Sequence, residues 1–102
     1  MTEHHYVYVV ECSDGTLYTG YTTDVGRRVT EHNDGTGAKY TAGRRPVSLR
    51  YVEYRPTRSD AQSREYEIKS LSRSEKRRLV ATTDDRVAVR VRADRPSTAS
   101  AP

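Results

Sequence analysis

Tyr6-Val7-Tyr8-Val9-Val10-Glu11-Cys12-Ser13-Asp14-Gly15-Thr16-Leu17-Tyr18-Thr19-Gly20-Tyr21 is the stretch that decides the fold. Residues 6–12 are β-branched and aromatic, the composition of a strand. Asp14-Gly15 is a strong hairpin signal, so residues 17–21 are expected to return antiparallel to the first strand. The length of the turn then decides which side chains meet. A three-residue loop, Ser13 to Gly15 with Gly15 left-handed, pairs Cys12 with Thr16, Val10 with Tyr18 and Tyr8 with Gly20. Paired residues share a face, so Tyr8 and Tyr18 become diagonal neighbours, with Gly20 expected to leave open space beside both hydroxyls. A two-residue loop would send them to opposite faces.

Outward from the hairpin, Val25, Val29 and His32 fall at helical spacing over residues 24–33, with Thr23 or Asp24 placed to cap. Gly35, Gly37, Gly43 and Pro46 mark residues 35–46 as a mobile loop. Residues 47–54 read as a third strand that Pro56 ends. Ser59 with Gln62, and Ser72 with Glu75, have capping-box spacing and predict one helix to about Leu71 and a short one over residues 75–80. The domain is expected to span residues 4–81. Residues 82–102 form a tail in which 87–91 could make an edge strand before a disordered end. Strand, strand, helix, strand, helix, helix describes an α+β fold, a three-stranded antiparallel sheet flanked by helices.

A chain of 102 residues holds one such domain. Its hydrophobic content is 33%, and no run approaches the roughly 18 apolar residues of a membrane span. Residues 1–5 lack the basic start and apolar stretch of a signal peptide, which predicts a cytoplasmic protein. A single cysteine, Cys12, excludes an internal disulfide and any multi-cysteine zinc site, and its apolar surroundings predict burial. Net charge is +4, and 15 of the 18 basic residues are arginine, whose planar fork suits phosphate. The pairs Arg27-Arg28 and Arg44-Arg45 and the run 76–78 are spread along the chain, as on a folded surface with several phosphate contacts.

Tyrosine packs well in strands, so each of the four hairpin tyrosines has a structural reading beside a functional one. Arg28 and His32, four apart, share a helical face. Arg27 lies about a hundred degrees round the helix. Ala61, Glu65, Ile68 and Ser72 follow one stripe, which turns Glu65 inward. A buried carboxylate needs a partner: Arg28 would be the structural one, a metal ion the functional one.

These residues together resemble the GIY-YIG nuclease family. Tyr6-Val7-Tyr8 stands at its first tripeptide and Tyr18-Thr19-Gly20 at its second, with Arg28 at the family's distance, His32 at a histidine of several branches and Glu65 at its metal-binding glutamate. The resemblance covers about residues 5–80 and is nearest to the short, single-domain bacterial and archaeal branch. Tyr6 replaces the leading glycine, and Tyr21 stands where some repair members carry lysine. What the resemblance implies is endonucleolytic hydrolysis with one divalent cation, Mg2+ or Mn2+, on Glu65, acting on DNA, with RNA not excluded. Tyr8, Tyr18, Arg28, His32 and Glu65 would be catalytic; Tyr21, Arg27, Lys39, Arg44 and Arg45 are the expected nucleic-acid contacts. Arg28 would bind the scissile phosphate. Tyr8 or Tyr18 would orient or deprotonate water, which a phenol does near neutrality only where positive charge lowers its pKa from about 10. Basic charge and tyrosines would equally serve a module that binds nucleic acid without cutting it, and a structural adaptor would need Glu65 only as the core partner of Arg28.

Overall fold

The structure is a computed structural model that describes residues 4–82; the expected edge strand at 87–91 lies outside them. The first hairpin is β1 (His5–Glu11) and β2 (Leu17–Thr22). Cys12 donates its N–H to the Thr16 carbonyl, Gly15 donates to Cys12, and Gly15 has φ +85°, so the three-residue turn forms. Tyr8 therefore pairs with Gly20 and Val10 with Tyr18.

Helix α1 (Val25–Asp34) is capped by Asp24, whose carboxylate accepts from Arg27 N–H, and Gly35 closes it in the left-handed conformation. The segment expected to be a loop contains a one-turn helix, α2 (Lys39–Ala42). Asn33 ties its far end to α1 by exchanging hydrogen bonds with the Val47 backbone. Strand β3 (Ser48–Arg55) pairs antiparallel with β1, with a bulge opposite Val9 and Val10, giving the sheet order β2-β1-β3.

Helix α3 (Arg58–Lys69) starts two residues earlier than the Ser59 box implies. Thr57 takes the cap, accepting from Asp60 N–H, because Pro56 already ends the strand and leaves Thr57 extended. Ser72 and Glu75 do form their reciprocal box and open α4 (Arg73–Val80), so Ser72 caps a new helix and does not extend the α3 stripe.

As the middle strand, β1 is covered on both faces, which explains its run of buried residues from His5 to Val10 without polar alternation. Tyr6, Tyr8 and Val10 pack with Val25, Val29 and Val47 on the α1 side. Val7 and Val9 pack with Ala61, Ile68, Leu71, Leu79 and Val80 on the α3 and α4 side. Cys12 is buried. Among the described residues no helix is long and apolar enough to cross a membrane.

Candidate active site

Tyr8 and Tyr18 lie on the α1 face of the hairpin, as the three-residue turn requires. The space at Gly20 is not open. A Cβ there would stand 2.6 Å from Tyr8 Cζ, so the missing side chain is filled by the Tyr8 phenol itself. Tyr8 is 1% exposed and its hydroxyl lies 2.7 Å from His32 Nε2. His32, fully buried, places Nδ1 2.7 Å from Thr41 Oγ1 in α2. Gly37 backs the imidazole closely: a Cβ would come within 2.6 Å of Nδ1.

Burial pushes the Tyr8 phenol up to about 12; Arg28 beside it pulls the other way, and the charges of Tyr18 and Glu65 add to the rise. An isolated Tyr8 hydroxyl is thus a hydrogen-bonding group and not a phenolate near neutrality. Burial, then Arg28, lowers the His32 pKa against an opposing pull from Glu31, so the imidazole is neutral. The tyrosine-lowering influence expected of Arg28 is present but loses to desolvation.

Tyr18 is only half-buried. Its ring meets His32 edge-on at 5.3 Å and stacks on Tyr40 at 5.8 Å. Arg44 covers the far face of Tyr40 at 4.0 Å, bonds the Tyr40 carbonyl at 2.8 Å and pairs with Asp14 at 3.0 Å. Arg44 thereby fastens α2 to the hairpin turn. Arg45 donates to Ala42 O, while Lys39 is exposed.

Arg28 projects to the rim of an open cavity of about 330 Å³ lined by Tyr21, Thr22, Thr23, Arg27, Glu31 and Arg58 besides itself. It is held at 3.0 Å by Glu31, one turn on in its own helix. Tyr21 reaches this cavity from the opposite sheet face, with its hydroxyl 2.9 Å from His5 Nδ1 and Arg58 5.8 Å above its ring. Three arginines so converge beside the edge of β2. Nothing in the sequence spacing joins Arg58 to Arg27 and Arg28; α3 brings it there by packing on β1 and β2.

Glu65 occupies the inner side of α3, as its stripe with the fully buried Ala61 and Ile68 predicts, and its side chain is 21% exposed. Its partner is not Arg28. Lys69, one turn on, holds the carboxylate at 3.0 Å. Glu65 lies near enough to the hairpin for its charge to raise the Tyr8 phenol. Among the described residues no three acidic, histidine or cysteine side chains group as a protein cage for a metal. A single, partly exposed carboxylate suits a magnesium-type ion, which keeps several waters and takes one or two carboxylates.

Thr41, like Arg58, is a neighbour of the candidate residues that sequence reading missed, since a threonine nine positions beyond His32 in a glycine-rich stretch carries no periodic signal.

A family model described as the GIY-YIG catalytic domain matches residues 4–78. A UPF0213 protein of Halobacterium salinarum is 65% identical over 75 residues, 74% of this chain and 97% of its own length. One from Staphylococcus saprophyticus is 54% identical over 78 residues, 76% of this chain and 95% of that one. The solution NMR structure of a UPF0213 protein from Bacillus halodurans aligns with TM-score 0.51 at 52% identity, covering 76% of this chain and 83% of that one. That of an E. faecalis protein gives 0.56 at 49%, covering 79% and 86%. With the two tyrosine motifs in register on one hairpin and a match that runs from β1 into α4, the chain belongs to the GIY-YIG catalytic domain family.

Proposed function

We propose that this protein is an endonuclease that hydrolyses phosphodiester bonds in DNA with one divalent cation, Mg2+ or Mn2+. The observation that carries the reading is the convergence of Tyr8, Tyr18, His32 and Arg28 on one side of the hairpin, with the Glu65 carboxylate inside electrostatic range of Tyr8. Arg28 and Arg27, with Arg58 across the cavity, bind the strand through its phosphates. Arg28 also donates to the scissile phosphate as its charge grows, exchanging for it the bond to Glu31 of its own helix. The Tyr18 hydroxyl, with no hydrogen-bond partner among the described residues, orients the attacking water. Tyr8, buried behind it, positions Arg28. Glu65 is the residue that would hold the cation. When bound, that ion withdraws charge from the phosphate and stabilises the leaving oxygen.

A binding module that does not cut is the second reading, and the Lys69–Glu65 pair favours it, because the carboxylate already has a counter-charge. Incubating the full chain with labelled duplex, branched, damaged and single-stranded DNA and RNA, each with Mg2+, Mn2+ or EDTA, tests the proposal. Cutting that depends on the cation and on Glu65 is expected. Binding without cutting under every condition would replace the enzyme by the module.

A further inference from the structure

We propose that Thr41 is a positioning residue of this site: it fixes His32 as the Nδ1–H tautomer, so that the Tyr8 hydroxyl donates a hydrogen bond to His32 and turns an oxygen lone pair toward Arg28. The functional half of this inference rests on the proposed hydrolysis; the structural half does not.

Polarity along a buried chain of hydrogen bonds fixes the tautomer. Thr41, His32 and Tyr8 are 0%, 0% and 1% exposed, so solvent offers none of them an alternative partner. A hydroxyl has one proton and an imidazole in its neutral form has one N–H, so each link constrains the next. At one end, Thr41 Oγ1 is 3.0 Å from the Ala38 carbonyl oxygen, which only accepts. The hydroxyl proton goes there. Thr41 Oγ1 is then the acceptor for His32 at 2.7 Å, and Nδ1 must carry the hydrogen. Nε2 is left with its lone pair, 2.7 Å from the Tyr8 hydroxyl, which must donate. At the other end Arg28, whose charge acts on the phenol, is able only to donate. The chain therefore runs in one sense, from guanidinium to phenol to imidazole to threonine to carbonyl, and every group has the polarity its neighbours need.

The opposite tautomer breaks both ends. Nε2–H would donate to Tyr8, the phenol proton would face the guanidinium, and the threonine hydroxyl would have to leave Ala38. Gly37 makes room for the ring in this position, since a Cβ there would come within 2.6 Å of Nδ1 and push the imidazole out of place. The threonine thus acts at a distance. It decides, through His32, whether Tyr8 presents Arg28 with a lone pair that steers the guanidinium or with a proton that repels it.

The test reads the tautomer directly. Two-bond 1H–15N correlation of the 15N-labelled full chain near neutral pH, with the His32 signals assigned by their loss in His32→Gln, is expected to show Nδ1 protonated and Nε2 as the acceptor. Thr41→Ser should keep that pattern. Thr41→Val, equal in shape but without the hydroxyl, should lose the single tautomer and lower kcat for DNA cutting by about 10- to 100-fold with KM changed little, the usual scale when a group that orients a catalytic histidine is removed. Protonated Nε2 in the parent chain, or an unchanged tautomer in Thr41→Val, would overturn the proposal. The parent spectrum alone is decisive if Thr41→Val does not fold. If the parent and Thr41→Ser both show Nδ1–H but neither cuts any nucleic acid, the hydrolysis reading fails and the tautomer assignment stands.

Discussion

Tyr8 on one face of the sheet and Tyr51 on the other are both pushed up to about 12, first by burial in each case, yet they sit in opposite kinds of surroundings. Tyr51 donates to Glu53 at 2.6 Å, and Glu53 in turn is bonded by Arg55 and Arg64, with Asp60 completing the group at 2.9 Å from Arg55. Those carboxylates and guanidiniums come from β3 and α3 and match charge for charge, so the network locks two elements together. Around Tyr8 the bonds through His32 and Thr41 are neutral, and the ion pairs are made within single helices: Arg28 with Glu31 and Glu65 with Lys69. A perturbed tyrosine does not by itself mark a site. What sets the Tyr8 surroundings apart is that their ion pairs join no two elements, beside a buried neutral chain that does.

The largest contrast should come from neutralising one carboxylate in each region. Glu65→Gln is expected to lower cutting by orders of magnitude while DNA affinity is kept, because the arginines supply the attraction to phosphate. It should cost less than about 1 kcal/mol of stability, since its partner Lys69 is 50% exposed. Glu53→Gln should do the reverse. It strips Arg64 and Tyr51 of their shared acceptor and should destabilise by about 1–3 kcal/mol, below a fully buried pair because Arg64 is 29% exposed, with the cutting rate of folded protein retained. Thermal melts, filter binding and nuclease assays on one preparation of each variant measure all three quantities. A Glu65→Gln chain that cuts at the parent rate would remove Glu65 from the mechanism.

A smaller effect separates two glycines. Gly20→Ala drives a methyl into the Tyr8 ring, hemmed in by the core, and should cost about 1–3 kcal/mol together with most of the activity. Gly43→Ala meets nothing within 4 Å and should stay within about 0.5 kcal/mol of the parent. Equal melting temperatures for the two variants would contradict the packing at Gly20.

Acid should find the neutral scaffold before it finds anything else on that face. The folded protein holds the His32 pKa below its ordinary value, so the unfolded chain binds the proton more readily. The stability it contributes is complete above the ordinary value of about 6.5 and is lost as pH falls through the depressed one. Melting temperature should drop more between pH 7 and pH 5 in the parent than in His32→Gln, with His4 and His5 common to both. Parallel curves would show that His32 does not titrate on unfolding.

The hairpin and its register were legible because one turn, with Gly15 as its third residue, sets every pairing in β1 and β2. Arg28, His32 and the inward position of Glu65 were legible from helical periodicity. What escaped was anything fixed by packing between distant segments. Gly20 reads as space until the Tyr8 ring is seen filling it. The partner of Glu65 could be guessed as Arg28 from charge alone, whereas helix geometry offers Lys69 four residues away. Thr41 and Arg58 come to these residues on α2 and α3, whose placement depends on which element each helix packs against. Local spacing carries no information about that.

The finest test concerns the Lys69–Glu65 pair, where the two readings of the molecule disagree most closely. If Glu65 is a cation ligand, the Lys69 ammonium at 3.0 Å competes for the same carboxylate, and binding an ion means releasing it. A pair four residues apart on a helix is worth about 0.3–0.5 kcal/mol, so Lys69→Met should tighten apparent Mg2+ or Mn2+ affinity about twofold. Methionine keeps much of the aliphatic stem over α3 and retains helix propensity, so stability should move by less than about 0.5 kcal/mol. Direct titration with Mn2+ followed by its electron paramagnetic resonance reads the affinity without reference to turnover. A lysine that instead contacts the DNA backbone predicts a different pattern, namely weaker DNA binding, a shallower salt dependence and no change in the Mn2+ titration. The ion competition is confined to Glu65, so in a Glu65→Gln background Lys69→Met should have no effect on Mn2+ binding; an effect that survives there would mean the ion sits elsewhere.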